Sequence, residues 1–289
     1  MYTIITDSCC DLNAEVMKGY KDFRVMPLSY TIGGVTHNEM PQDQEVSAYY
    51  DRLRAGEVSS TSQINPYEFY DVYVEYVKRG ISLLCLHFSS ALSGTFNSAM
   101  IARNMILQEY PEAKIELIDT LAASAGQGMM VCDALDNRDV GMSLEENAQW
   151  IRERIQNYAQ WFTVDDLHFL QRGGRCSPSA AFFGSMLSIK PVLHVSAEGK
   201  LIAREKVRGR KQALRALAER YGELGMPRDQ RLFISHGDCE ADALLLKEML
   251  VEKYGCDPDK IVLSMVGPVI GSHSGPGTVA FFFRGKDRG

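Results

Sequence analysis

The sequence predicts an α/β protein built from two units. Apolar runs rich in β-branched residues alternate with stretches at helical spacing, and that alternation restarts at Trp161. The length of 289 residues suggests two domains, with one large domain as the competing reading. The boundary falls near residue 160, giving units of 1–160 and 161–289. No Pro/Ser-rich linker marks it, so the halves are expected to pack closely.

The elements follow in order. Tyr2–Thr6 reads as a first strand, ending at Asp7-Ser8 before a helix from Asn13. Val25–His37 alternates through Leu28, Tyr30 and Ile32 into Gly33-Gly34, the signature of a hairpin with a tight primed turn. Ser47–Ala55 is a short helix, Gly56–Pro66 a polar loop, and Tyr67–Arg79 a helix. Ile81–Phe88 is a buried strand that encloses Cys85, and Gly94–Glu109 is a helix with Ala99, Ala102, Met105 and Ile106 on one side. Lys114–Ile118 is a strand, and helices continue to about Asn157. Beyond it, strands are expected at Trp161–Val164, Pro191–Val195, Lys200–Ala203, Arg231–Ser235, Ile261–Met265 and Thr278–Phe283. Helices are expected from about Gly209 and Glu240, with a Gly-rich turn at Arg172–Arg175.

Composition narrows the function. Hydrophobic residues at 45% and charged residues at 24% are ordinary globular values, and a net charge of -6 disfavours a nucleic-acid protein, which needs a basic face. No apolar run approaches the ~20 residues that span a bilayer. The 7 cysteines include no CxxC pair, which reads as reduced thiols in a cytoplasmic protein, with Cys9-Cys10 as a remote redox candidate. No zinc motif occurs, so no metal is expected.

Three hydroxyl- or glycine-rich segments adjoin predicted strands: Ser59–Gln63, Ser89–Thr95 and Gly267–Gly277. The second lies between a buried strand and a helix, where free amides and the helix's positive end favour an anion, with Ser90, Ser93 and Thr95 adding hydroxyls. Simple helix capping by these residues is the competing reading. The third segment reads GxxxGxG, with no helix clearly following, and no P-loop pattern occurs anywhere. His273 with Ser93 could suggest a hydrolase, but Leu92-Ser93-Gly94 lacks the GxSxG elbow and no third member can be named. Arg172 and Arg175 flank Gly173-Gly174, placed either to grip an anion or to pair with acidic neighbours. Arg204–Lys211 is a basic run that reads as a solvated face or a partner contact.

Together these segments resemble the DegV family of bacterial fatty-acid-binding proteins. The resemblance spans nearly the whole chain. It runs from Asp7-Ser8-Cys9-Cys10-Asp11-Leu12 through Thr61-Ser62-Gln63, Ser89–Ser98, Arg172–Arg175 and Ile189-Lys190-Pro191 to Gly271–Gly277. It implies an N-terminal Rossmann-like α/β domain with a β-hairpin excursion, a C-terminal α/β domain, and a lipid site at or near their junction. A long-chain fatty acid such as palmitate, stearate or oleate would be bound, its carboxylate held by Thr61 and Ser93. Ser62, Gly94, Arg172 and His273 are implied as secondary head-group residues.

By the same resemblance the protein is the carrier subunit of a fatty-acid kinase and not itself an enzyme. A separate ATP-dependent subunit would convert the carboxylate to an acyl phosphate, which an acyltransferase uses in phospholipid synthesis. No cofactor beyond the lipid is implied, a monomer is expected, and transient membrane contact is compatible with the role. Ile64 stands where the family commonly has proline, and Phe96 where it commonly has tyrosine, so no phenol is available there. A stand-alone enzyme, with Ser93 as nucleophile or the Ser/Thr loops as a phosphate site, and a lipid sensor without a kinase are the alternatives.

Overall fold

The structure is a computed structural model and describes residues 2–39, 46–176, 189–226 and 229–289. The chain begins β1 (Tyr2–Asp7), α1 (Ala14–Lys18), β2 (Phe23–Met26), β3 (Ser29–Ile32), β4 (Val35–Asn38), α2 (Val46–Arg54) and β5 (Ser59–Ser62). Next come α3 (Pro66–Lys78), β6 (Ser82–His87), α4 (Thr95–Glu109), β7 (Ile115–Asp119), α5 (Ala125–Asp139) and α6 (Leu144–Arg154). From there follow β8 (Tyr158–Thr163), α7 (His168–Arg172), β9 (Ile189–Val195), β10 (Leu201–Arg208), α8 (Arg210–Leu224) and β11 (Leu232–His236). The last elements are α9 (Glu240–Tyr254), β12 (Ile261–Met265), α10 (Pro268–Ser274) and β13 (Val279–Arg284).

Three sheets result. The first is parallel throughout, in the order β2-β1-β6-β7. All of β1 and nearly all of β6 are buried, as in parallel strands covered on both faces, which is why they read as continuous apolar runs. A small antiparallel sheet, β4-β3-β5, stands beside it. Gly33 and Gly34, at φ 57° and 78°, supply the two positive angles its β3–β4 turn requires. The six-stranded sheet runs β10-β9-β8-β13-β11-β12 and is antiparallel except for β11 beside β12. In β10 the alternation turns Arg204, Lys206 and Arg208 outward, so that part of the basic run is a solvated face.

Local signals explain the helices. α3 opens with a capping box: the Asn65 side chain accepts from the Tyr67 and Glu68 amides, and Glu68 accepts from the Asn65 amide. α5 is buried from Ala125 through Leu135 because it packs on β1 and β6 on one side and on β8, β11 and β13 on the other. Its glycines allow that approach. A Cβ on Gly126 would lie 2.5 Å from Gln160 Oε1, and one on Gly128 would lie 2.5 Å from the Cys10 carbonyl. Leu84 and Leu86, Met129 to Val131, and Phe162 and Phe282 consequently form one core across both large sheets.

Three expectations are corrected. Within Gly56–Pro66, residues Ser59–Ser62 form β5, paired with β3. Within Gly267–Gly277, residues 268–274 form α10, opened by Pro268 in its first turn and closed by Gly275 at φ 78°. The Val25–His37 run is also divided: β2 joins the parallel sheet, and only β3 and β4 form the hairpin. Cys9 and Cys10 are free and buried, and burial pushes both thiols well above their ordinary range.

Candidate functional site

A cavity of about 400 Å³ lies where the three sheets meet. Its walls come from β5, the loop before α4, the loop before α5, β8, α7, β9, β10, α10 and β13. Phe88, Leu92, Phe162, Leu170, Ile270 and Phe282 supply much of its apolar surface. Thr61, Ser62, Gln63, Ser93, Arg175 and His273 also line it.

These polar residues converge because β5 is fastened on both sides. Residues two apart on a strand share a face. Ser59 Oγ lies 2.8 Å from Ser272 Oγ, and Thr61 Oγ1 lies 2.8 Å from His273 Nε2. Gln63 Nε2 donates to Ser98 Oγ in α4 at 3.1 Å. A Cβ on Gly94 would lie 2.1 Å from Gln63 Oε1, so the absence of a side chain there lets β5 meet the start of α4.

The neutral form of His273 is favoured, since burial first, then Arg175 and Arg172, push it down to about 4. Its Nδ1 has no hydrogen-bond partner among the described residues. The arrangement that avoids burying an unpaired N–H has Nε2–H donating to Thr61 Oγ1. The Thr61 hydroxyl proton is then free to point at a ligand.

Ser93 Oγ lies 2.9 Å from Thr95 Oγ1 and accepts from the Thr95 amide at 3.3 Å, so it shapes the turn into α4 while lining the cavity. The Gly94 amide donates to no protein group among the described residues. Ser90 is exposed and off the wall, with its amide bonded to Asp119. Ser124 and Thr278 also line the cavity, but their hydroxyls are committed to Asp11 Oδ2 at 2.5 Å and to the Gly275 carbonyl at 2.9 Å. Burial and neighbouring Glu39 hold the Asp11 carboxyl well above the ordinary range.

Of the candidates read from sequence, Thr61, Ser62, Ser93 and His273 share this cavity, while Gly94 and Arg172 do not line it. Arg172 is exposed, with its guanidinium 4.9 Å from the Phe169 ring centroid. The arginine on the wall is Arg175, whose Nε donates to the Leu92 carbonyl at 3.0 Å and whose Nη1 donates to that of Gly173 at 2.5 Å. Two of its five N–H donors bond described residues, and the guanidinium sets a permanent cation on the wall that Ser93 also lines. Sequence reasoning placed Arg172 and Arg175 on one turn, and only the direction of α7 separates them. Gln63 belongs to the Thr61-Ser62-Gln63 motif, in which nothing in the sequence marks its bond to Ser98.

No group of three or more His, Cys, Asp or Glu among the described residues is placed to hold a metal ion. No helix among them is long and apolar enough to cross a membrane.

Comparison with known proteins agrees with this architecture. The chain is 43% identical, over 99% of its length and 98% of the relative's, to the DegV domain-containing protein CPE0026 of Clostridium perfringens. It is similar to the fatty acid binding DegV family protein SAG1342 of Streptococcus agalactiae, with TM-score 0.85, 33% identity and 99% of each chain covered. It is also similar to a DegV family protein from Thermus thermophilus described for its fatty acid binding, with TM-score 0.86, 32% identity, and 97% and 98% of the two chains covered. The family model described as "Uncharacterised protein, DegV family" matches residues 1–286, and the chain belongs to the DegV family.

Proposed function

We propose that this protein binds a long-chain fatty acid in the cavity between its sheets and presents the carboxylate to a separate ATP-dependent kinase subunit. The observation that carries the reading is the cavity itself. Its volume of about 400 Å³ is within the range of ligand sites, and it joins an apolar lining to a cluster of hydroxyls beside a cation. A sixteen-carbon chain has about fourteen methylenes worth roughly 0.8 kcal/mol each, a gross gain on the order of 11 kcal/mol before ordering costs.

A carboxylate needs donors wherever it leaves water. The Thr61 and Ser93 hydroxyls supply them, with Arg175 balancing the charge. These donors are neutral, so a carboxylate oxygen keeps nucleophilic lone pairs. In the kinase step that oxygen attacks the γ-phosphorus of ATP. ADP leaves, and an acyl phosphate remains for an acyltransferase of phospholipid synthesis. His273, near-neutral, orients Thr61. Arg175 and Arg172 are the cations we assign to stabilising the developing phosphate charge. This step rests on the family resemblance and assigns the protein to the cytoplasm.

The Ser93-nucleophile reading gains no support from the geometry, because His273 is bonded to Thr61 while Ser93 is bonded to Thr95. Native mass spectrometry followed by organic extraction tests the proposal. A stoichiometric fatty acid is expected, retained on purification or after incubation with a panel. A protein that stays unliganded throughout overturns the binding reading. ATP consumption by the purified chain with fatty acid alone overturns the carrier role.

A further inference from the structure

A buried hydroxyl on the cavity wall has no hydrogen-bond partner among the described residues. Ser274, the last residue of α10, is 5% exposed and lines the cavity beside His273 and one turn beyond Ile270. Its Oγ is bonded to nothing among the described residues. Helical serines commonly satisfy themselves by bonding the carbonyl four residues back, as Ser272 does with Pro268 at 2.8 Å. Ser274 makes no such bond. Among the other buried hydroxyls nearby, Ser272 is occupied by Tyr49, Ser59 and Pro268, Thr278 by the Ser274 and Gly275 carbonyls, and Ser124 by Asp11. A buried hydroxyl left unpaired is costly and calls for a partner from the cavity.

We infer that Ser274 is a further head-group ligand, donating its hydroxyl proton to the carboxylate of the bound fatty acid. The inference rests on the fatty-acid reading above. An ionised carboxylate offers about four acceptor positions. Thr61 and Ser93 occupy two of them. Ser274 follows His273, which is bonded to Thr61, and lines the same cavity as Thr61 and Ser93.

The assignment carries two opposite signatures. Without ligand, the Ser274 hydroxyl is a burden, so Ser274→Ala keeps or raises the melting temperature. With ligand, it is a charge-assisted donor, so the same change weakens binding. The experiment titrates wild type, Ser274→Ala and Ser274→Thr with palmitate and with hexadecanol by displacement of a fluorescent fatty acid, alongside ligand-free melting. For Ser274→Ala we expect palmitate affinity about tenfold weaker, a change of less than about threefold for hexadecanol, and no fall in melting temperature. Ser274→Thr, which keeps the hydroxyl, should bind palmitate within about threefold of wild type. Unchanged palmitate affinity in Ser274→Ala, equal losses for both ligands, or a lowered ligand-free melting temperature overturns the assignment. Wild type that binds palmitate while Ser274→Ala binds it equally well defeats this inference alone. Wild type that binds neither ligand defeats the fatty-acid reading beneath it.

Discussion

Thr61 Oγ1 and His273 Nε2 meet at 2.8 Å although 212 residues of chain separate them. With Ser59 bonded to Ser272 on the same strand face, this contact places a hydroxyl from the N-terminal half and an imidazole from the C-terminal half on one cavity. Thr61→Val keeps the shape of the side chain and removes the proton it offers the ligand. Fatty-acid affinity is expected to fall about five- to twentyfold, and Ser93→Ala to cost more than any single change in the apolar lining. Displacement titration checks both, and affinities equal to wild type would count against the head-group assignment.

Gly173 and Gly174 make a matched pair. A Cβ on Gly173 would lie 2.1 Å from His273 Nδ1, whereas one on Gly174 would meet nothing within 4 Å but sits at φ 70°. Gly173→Ala should displace His273 and weaken ligand binding. Gly174→Ala should cost about 1–2 kcal/mol of stability through its backbone and leave affinity near wild type. Urea unfolding and ligand titration of both variants separate the two effects. The same affinity loss in both would show that Gly173 is not specific to His273.

Tyr49 holds α10 from behind. Its hydroxyl is 2.7 Å from Ser272 Oγ and donates to the Pro268 carbonyl at 3.1 Å, and the ring is buried. Tyr49→Phe keeps the packing and should lower stability by about 1–2 kcal/mol in urea. A variant with an unchanged midpoint would mean that Ser59 and Ser272 fasten the helix without it.

Ala280 is the small side chain on the part of β13 that faces the cavity, between Thr278 and Phe282. Ala280→Leu takes up acyl space, so preference should move toward shorter chains, at an overpacking cost of about 1–3 kcal/mol. Competition among saturated acids of graded length reads the shift. An unaltered order of preference would place the tail elsewhere.

Acid should destabilise the protein through its buried imidazoles. Burial, with Arg204 adding, pushes His194 down to about 4, and burial with Arg175 and Arg172 does the same to His273. An ordinary imidazole titrates near ~6.5, so between there and about 4 the unfolded chain binds protons that the folded chain refuses. Stability therefore falls as pH drops through that window and levels off below it. His194 lies 5.0 Å from Trp161 and is nearly inaccessible. His194→Gln should lose less stability than wild type between about pH 7 and about pH 4.5 in urea titrations. Equal losses would remove His194 from the account.

The parts of this molecule that bury apolar side chains are legible in the sequence. β1, β6 and β13 announce themselves as apolar runs, and Gly33-Gly34 marks its hairpin because only such residues tolerate both turn angles cheaply. The cavity's fastenings are less legible. β5 is Ser-Ser-Thr-Ser, with no apolar alternation, because it holds its place through hydroxyl contacts to α10 as well as through its pairing with β3. α10 is hidden by its glycines, although Pro268 at its start and Gly275 at its end are the ordinary signals of a short helix. The hydroxyl cluster could be listed from sequence, but which hydroxyls are occupied by the protein and which remain open depends on contacts made across hundreds of residues. Ser124 and Ser274 look alike in the sequence and differ only in that Asp11 reaches one of them.

β13 is the last strand in the chain, yet it sits in the interior of its sheet, between β8 and β11. Until residues 279–284 are in place, β8, β9 and β10 on one side and β11 and β12 on the other have no hydrogen-bonded connection. Ala280 and Phe282, which wall the cavity, are missing with them. A chain emerging from the ribosome therefore offers two incomplete half-sheets with unpaired inner edges between the completion of β12 and the arrival of β13. The lipid site comes into being in one closing event, when the final strand slots into the gap. Chaperone demand, proteolytic vulnerability and the first moment of ligand capture should all fall within that short interval.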